Sequence, residues 1–159
     1  MKKIESPARS GSPPGRRKLV LYVEDNDDNW SVAEMRLSSV YRLIRAANDR
    51  EACALLTEHA NELYIVLMDI ELQGSRLDGI ALTKLLRGRL PSGQKPSYAR
   101  SVQPSNVPVV FVTAYATAFG TELEEAGGNL VVPKPVEFRR LIRELTSMHL
   151  GTIGDGKSK

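Results

Sequence analysis

Five residues capable of chemistry stand where short apolar runs end: Glu24 and Asp25 close LYVED, Asp69 closes LYIVLMD, Thr113 closes VVFVT, and Lys134 follows LVVP. If those runs are parallel strands of one sheet, their carboxyl ends share an edge, and ligands sit outside that edge in open α/β sheets. Three carboxylates gathered there repel one another, so the arrangement calls for a hard divalent cation. Mg²⁺ suits it, with Mn²⁺ as the substitute, because it accepts one or two carboxylates, keeps several waters and is completed by a phosphate oxygen. The Thr113 hydroxyl and the Lys134 ammonium are donors suited to phosphoryl oxygens. Asp69 then reads as a nucleophile that attacks phosphorus in line while the cation and Lys134 neutralise the equatorial oxygens. Any one of these acids alone would read as a solvated loop residue or a helix cap; five convergent positions do not.

The elements that must position these groups are legible as an alternation. KLVLYVED reads as a buried strand, and DDNWSVAEMRLSSV as a helix with Trp30, Ala33 and Leu37 at helical spacing and acids at its start. Residues 41–47 read as a second strand and about 50–59 as a second helix. Residues 63–70 form a nearly continuous apolar run, as expected of a parallel strand covered on both faces. A helix from Gly79 to about Gly88, a strand in VPVVFVTAY, a helix over 117–126 stopped by Gly127 and Gly128, a short strand at 130–132 and a last helix over 136–148 complete the pattern. Five strands alternating with five helices predict a doubly wound α/β sheet with right-handed crossovers.

The motifs LYVEDND, LMDIEL with a later DG, FVTAY and AGGNLVVPKP, in that order, resemble the receiver domain of two-component response regulators. The resemblance spans nearly everything from Lys18 to Met148. It implies a flavodoxin-like sheet of order 2-1-3-4-5, with Asp69 as phosphoacceptor and Glu24 and Asp25 as the acidic pair. It also implies a metal held by Glu24, Asp25, Asp69 and the backbone carbonyl of Glu71, Thr113 as the switch hydroxyl, and Lys134 on the phosphoryl group. Lys134-Pro135 is then a candidate cis peptide. A histidine kinase or histidine phosphotransfer protein would donate the phosphoryl group, and an unidentified protein target would read it. A homodimer through the last helix and its neighbouring strand is a partner arrangement the resemblance allows. Three departures stand out. The DG pair comes late and Gln73 sits where the family often has proline; residues 87–106 make the connection longer than usual; and Val131 replaces the aromatic residue that often turns inward on activation. Tyr115, two residues beyond Thr113, is the substitute candidate for readout.

Charge and composition bound the rest. The net charge of +3 is unevenly spread: six of the 22 basic residues and one of the 19 acidic ones fall in the first 18 positions, which leaves 16 bases against 18 acids in the remainder. The folded part is slightly acidic, so direct DNA binding is not expected. Residues 1–17, rich in Pro, Gly and Ser, read as a disordered basic leader, 18–149 as the receiver with an inserted loop at about 88–106, and 150–159 as a polar tail. The stretch 87–106, with its prolines, four basic residues and no acids, is expected to be mobile and to lie at the edge of the sheet remote from Asp69. No apolar run approaches the roughly 20 residues needed to cross a bilayer, so a cytoplasmic protein is expected. The single cysteine, Cys53, reads as a small buried residue. With no output domain after the last helix, signalling through protein contacts is expected. Two rivals remain. One is a receiver-like docking module that is never phosphorylated. The other is a haloacid-dehalogenase-like phosphohydrolase, which also follows an aspartate nucleophile with Thr/Ser and Lys but would leave Glu24 and Asp25 without a task.

Overall fold

A computed structural model describes residues 17–154, with side chains described through 148. The expected leader, apart from residue 17, and the end of the expected tail lie outside the described residues. The elements run β1 (Leu19–Val23), α1 (Asp27–Leu37), β2 (Arg42–Ala46), α2 (Asp49–Glu58), β3 (Leu63–Met68), α3 (Gly79–Leu86), β4 (Val109–Thr113), α4 (Glu122–Glu125), β5 (Leu130–Pro133) and α5 (Phe138–Gly154). All strand pairs are parallel, in the order β2-β1-β3-β4-β5.

Period-two alternation along the central strands divides their side chains between two cores. Leu21 and Val23 of β1, Val66 and Met68 of β3, and Val109 and Phe111 of β4 face one side, with Ala52, Leu56, Leu82, Leu85 and Leu123 from α2, α3 and α4. Val20, Tyr22, Ile65, Leu67, Val110 and Val112 face the other, with Ala33 and Leu37 of α1 and Leu141 and Leu145 of α5. A sheet buried on both faces explains why these strands read as continuous apolar runs. Cys53 is buried, as expected of a core residue, and burial, helped by the Asp49 charge, pushes its thiol up to about 11. Among the described residues no helix is long and apolar enough to cross a membrane.

Two elements differ from expectation. The fourth helix, expected over 117–126, is one turn long. Residues 114–121 form successive turns, because Gly120 takes φ +53° and breaks the helical run, and only Glu122–Glu125 remains helical. The last helix runs to Gly154, beyond its expected end at Met148.

The insertion after α3 differs more. It is anchored at both ends: Arg87 donates to the carbonyls of Ser105 and Gly127 at 2.8 and 3.1 Å, and the Ser105 amide donates to the Leu86 carbonyl at 2.8 Å. Leu90, Ala99 and Val102 are buried in the core shared with α2 and α3, and short 3₁₀ turns form at Ser92–Gln94 and Ser97–Ala99. The expectation of a mobile loop at the far edge of the sheet is therefore corrected to a packed one that meets the β3–α3 loop through Gly93 and Gln94, although no residue of it lines the cleft of Asp69. Apolar residues hidden among the prolines and bases fold the insertion back along α2 and α3. An eight-residue α3 is only about 12 Å long at 1.5 Å per residue, so the insertion easily spans it and returns to the edge where the strands end.

Gly79 fixes where the β3–α3 connection can pass. A Cβ there would lie 1.9 Å from the Asp69 carbonyl oxygen, and the Gly79 amide donates to the Ile70 carbonyl at 2.8 Å. Asp78 caps α3 by accepting from the Ala81 amide at 2.8 Å. Backbone must therefore shift to admit any side chain, and Gly79→Ala is expected to cost about 1–3 kcal/mol in urea unfolding, as overpacked sites do. An unchanged unfolding midpoint would show that the loop yields freely.

Candidate functional site

The sheet register brings the predicted residues together. Asp69 immediately follows β3, and its amide donates to the Val23 carbonyl at 3.0 Å, so it sits beside the end of β1. Thr113 pairs with Pro133 across β4 and β5, and the Lys134 amide donates to the Thr113 carbonyl at 2.9 Å. The Lys134-Pro135 peptide is cis, as the sequence suggested. Glu24, Asp25, Asp69, Glu71, Thr113, Tyr115 and Lys134 all line one cleft of about 250 Å³.

Electrostatics inside the cleft are tightly arranged. The Lys134 ammonium donates to Glu24 Oε2 and to Asp69 Oδ2, each at 2.9 Å. Glu24 is fully buried, and its Oε1 accepts from the Asn26 amide at 3.1 Å and from Asn29 Nδ2 at 3.3 Å. Asp69 Oδ1 accepts from the Ile70 amide at 2.8 Å. Burial pushes the Asp69 carboxyl up, its bond to Lys134 opposes this, and the Glu24 charge pushes it up again, so it rests at about 6 against an ordinary 3.8. Burial by itself would lower the Lys134 ammonium, but its bonds to Glu24 and Asp69 hold it above the usual lysine range.

Carboxylate oxygens of Glu24, Asp25 and Asp69 lie within 4.8 Å of one another. An all-oxygen set at this spacing fits Mg²⁺. The Glu24 side chain is fully buried whereas those of Asp25 and Asp69 reach the cleft, so Asp25 and Asp69 are the better placed direct ligands. Glu71 lines the same cleft, where its backbone was expected to contribute.

The readout candidates part company. Tyr115, 55% exposed, stands at the cleft, and its amide donates to Thr113 Oγ1 at 3.0 Å. Val131 is not among the lining residues; it is half-buried in a separate groove with Pro135, Glu137 and Arg140.

Other members of the site escaped the sequence reading. Arg45 donates to the carbonyls of Glu24 and Asp25 at 3.0 and 3.1 Å and pairs with Asp27 at 2.8 Å, which pins the loop between β1 and α1. An arginine between Ile44 and Ala46, near the end of the strand, was its signal. Asn26 caps α1 at the Asn29 amide, 2.9 Å away, a spacing visible in the sequence. Gln73 donates its backbone amide to Asp25 Oδ2 at 3.0 Å, a contact that no side-chain type could announce.

Comparison with known proteins agrees with this geometry. The model of the response regulator receiver domain matches residues 20–146. Among solved structures, the chain is similar to a CheY-like receiver domain from Methanospirillum hungatei at 23% identity, covering 83% of this chain and 93% of that one with a TM-score of 0.63. The receiver domain of NtrX from Brucella abortus is 25% identical, with 80% and 95% covered and a TM-score of 0.64. The receiver domain of a Pseudomonas aeruginosa sensor histidine kinase, described with a magnesium ion coordinated in its active-site cleft, is 28% identical, with 82% and 96% covered and a TM-score of 0.63. No curated protein matches the sequence.

A carboxyl whose folded value lies above its unfolded one keeps its proton in the folded chain while the unfolded chain ionises. Stability therefore falls as pH rises from about 4 through about 6. Without divalent metal, Asp69→Asn is expected to stabilise the protein at neutral pH by about 1–3 kcal/mol and to lose that advantage below pH ~4. Urea unfolding in chelator at the two pH values measures it. A variant destabilised at neutral pH would mean that Lys134 outweighs burial.

Proposed function

Because the chain belongs to the response regulator receiver family, a family of two-component signalling modules, we propose that it is a phosphoaspartate switch that accepts its phosphoryl group on Asp69. The supporting observation is the Lys134 ammonium shared at 2.9 Å between Asp69 and Glu24 in a cleft that Asp25 and Thr113 also line. A histidine kinase or phosphotransfer protein is the donor. The P–N bond of its phosphohistidine breaks with the electron pair left on the imidazole, and an acyl phosphate forms on the Asp69 carboxylate. Asp25 and Asp69, with Glu24 behind them and the Glu71 carbonyl beside them, would hold Mg²⁺, which when bound neutralises charge on the phosphoryl oxygens. Lys134 and the Thr113 hydroxyl bind the remaining oxygens.

Readout starts at the Tyr115 amide. Its bond to Thr113 Oγ1 ties the segment 114–121 to the switch hydroxyl, so movement of that hydroxyl toward a phosphoryl group releases the segment. The phosphoryl group biases the two arrangements only through contacts made in one of them. The changed surface then alters affinity for a protein target.

Two measurements test this reading. With Mg²⁺ and an acyl phosphate donor, intact mass should rise by one phosphoryl group in the wild type but not in Asp69→Ala or in excess chelator. An unlabelled wild type that still binds a signalling partner would make the chain a docking module instead. With a phosphoryl mimic bound, amide exchange should quicken at Tyr115 and through 114–121, and Tyr115→Ala, which keeps the amide but removes the ring that screens the cleft from water, should change the dephosphorylation rate. An unmoved segment together with an unchanged rate removes this route of readout.

A further inference from the structure

Asp49 is the first residue of α2 and only 2% exposed, yet it plays no part in the cleft itself. Its carboxylate is surrounded by donors from three separate parts of the chain. Oδ2 accepts from the backbone amides of Arg76 and Leu77 at 3.1 and 3.0 Å and from the Tyr98 hydroxyl, while Oδ1 accepts from the Arg50 amide at 2.9 Å. The Asp49 amide donates to Ser75 Oγ at 3.0 Å. Three consecutive residues of the β3–α3 loop are thus held by one side chain and its amide. That loop begins at the phosphoacceptor, carries Glu71, and reaches Asp25 through the Gln73 amide.

Tyr98 belongs to the insertion. The Arg50 guanidinium lies 4.5 Å from its ring centroid, which holds the phenol over the start of α2. Gly93 and Gln94, also of the insertion, face Ser75, Arg76, Leu77 and Asp78 across a shared groove. Burial raises the Asp49 carboxyl, but the Tyr98 hydroxyl and the three amides more than offset it and keep the group ionised below the usual carboxylate range. A buried carboxylate this fully bonded is costly to leave half-satisfied, so loop and insertion are fixed together.

We propose that Asp49 is a positioning residue for the phosphorylation site, holding the β3–α3 loop in the geometry that presents the Glu71 carbonyl to the metal and the Gln73 amide to Asp25, and that the insertion sets this geometry through Tyr98. This deepens the phosphoaspartate reading and rests on it for what the loop serves. The insertion is then a built-in brace of the site, and any partner that grips the insertion acts on metal binding and so on phosphorylation.

Deleting the insertion would remove Leu90, Ala99 and Val102 and uncover the apolar residues of α2 and α3 that they pack on, so the test uses Tyr98→Phe, which removes one hydroxyl, and Asp49→Asn, which keeps the shape and a carbonyl acceptor. In the full metal-free chain, amide exchange over 73–77 should accelerate about three- to tenfold in Tyr98→Phe, the range of one net hydrogen bond, while exchange in β1 and β4 stays unchanged. The Mg²⁺ dissociation constant from calorimetry, and the Mg²⁺ needed for half-maximal labelling, should rise by a similar factor, with labelling at saturating Mg²⁺ preserved. Asp49→Asn should lie between the wild type and Asp49→Ala. A brace with only a structural role would shift the unfolding midpoint and leave Mg²⁺ affinity alone, which would overturn the inference, as would unchanged exchange over 73–77. If the wild type takes no label, the phosphoaspartate reading fails separately, and exchange with Mg²⁺ affinity still decides the role of Asp49.

Discussion

Like charge brought to one sheet edge is the constraint from which the rest of this structure follows. Parallel strands β1 and β3 end side by side, so Glu24, Asp25 and Asp69 cannot avoid one another. In a partly desolvated cleft their repulsion is felt at a lower dielectric than in water. Lys134 answers it, with its ammonium set between two of the three carboxylates. The register of β4 and β5 delivers that lysine, and the apolar sheet below keeps the register from slipping, since a one-residue slip would turn every core side chain to the wrong face. One cation against three carboxylates leaves the site short of positive charge, which makes a divalent metal and a phosphoryl group complementary guests.

The loops around the edge are held by hydrogen bonds more than by apolar packing. Arg45 takes the carbonyls of Glu24 and Asp25, Asn29 takes Glu24 Oε1, and Gln73 takes Asp25 Oδ2. The Asn29 and Gln73 bonds direct carboxylate oxygens, and the Arg45 bonds fix the backbone that carries both acids. Preorganisation of this kind places dipoles before any ligand arrives, which is where electrostatic stabilisation of a phosphoryl transfer has to come from.

The sequence made the sheet and the reacting residues readable for one reason: buried parallel strands write continuous apolar runs, and the chemistry sits where each run stops. Strand order and the convergence of Asp69, Thr113 and Lys134 follow from that. Contacts made through backbone amides were not readable, and Gln73 is the plain case, since its side chain has no role in the bond to Asp25. Asp49 stands just before the helix expected from about residue 50, where an acid is ordinarily a solvated partner of the helix dipole. Only the return path of the insertion shows that Tyr98 covers it. Composition misled there as well: prolines and bases suggested a free loop, while Leu90, Ala99 and Val102, spaced without a period, do the packing. The fourth helix was overextended because Thr117 to Ala126 contains enough apolar residues to suggest a face, and Gly120 alone was too weak a signal against it.

The two sides of the cleft are restrained to different degrees, and this sets the direction in which a signal can travel. On one side, the β3–α3 loop is bonded to Asp25 and Asp49, packed against the insertion, and closed at Gly79 without room for a methyl group. On the other, the turns from 114 to 121 lead from Thr113 to a helix of four residues, with the Tyr115 amide resting on the Thr113 hydroxyl. Local opening free energies are lowest where bonds are few and solvent-exposed. In the proposed function a phosphoryl group on Asp69 would draw on both sides, with the braced loop better held against displacement than the turns. The proposed response would then be channelled toward 114–121, because the stiffness of the opposite side would let one hydroxyl contact become a movement of chain instead of being dissipated around the whole cleft.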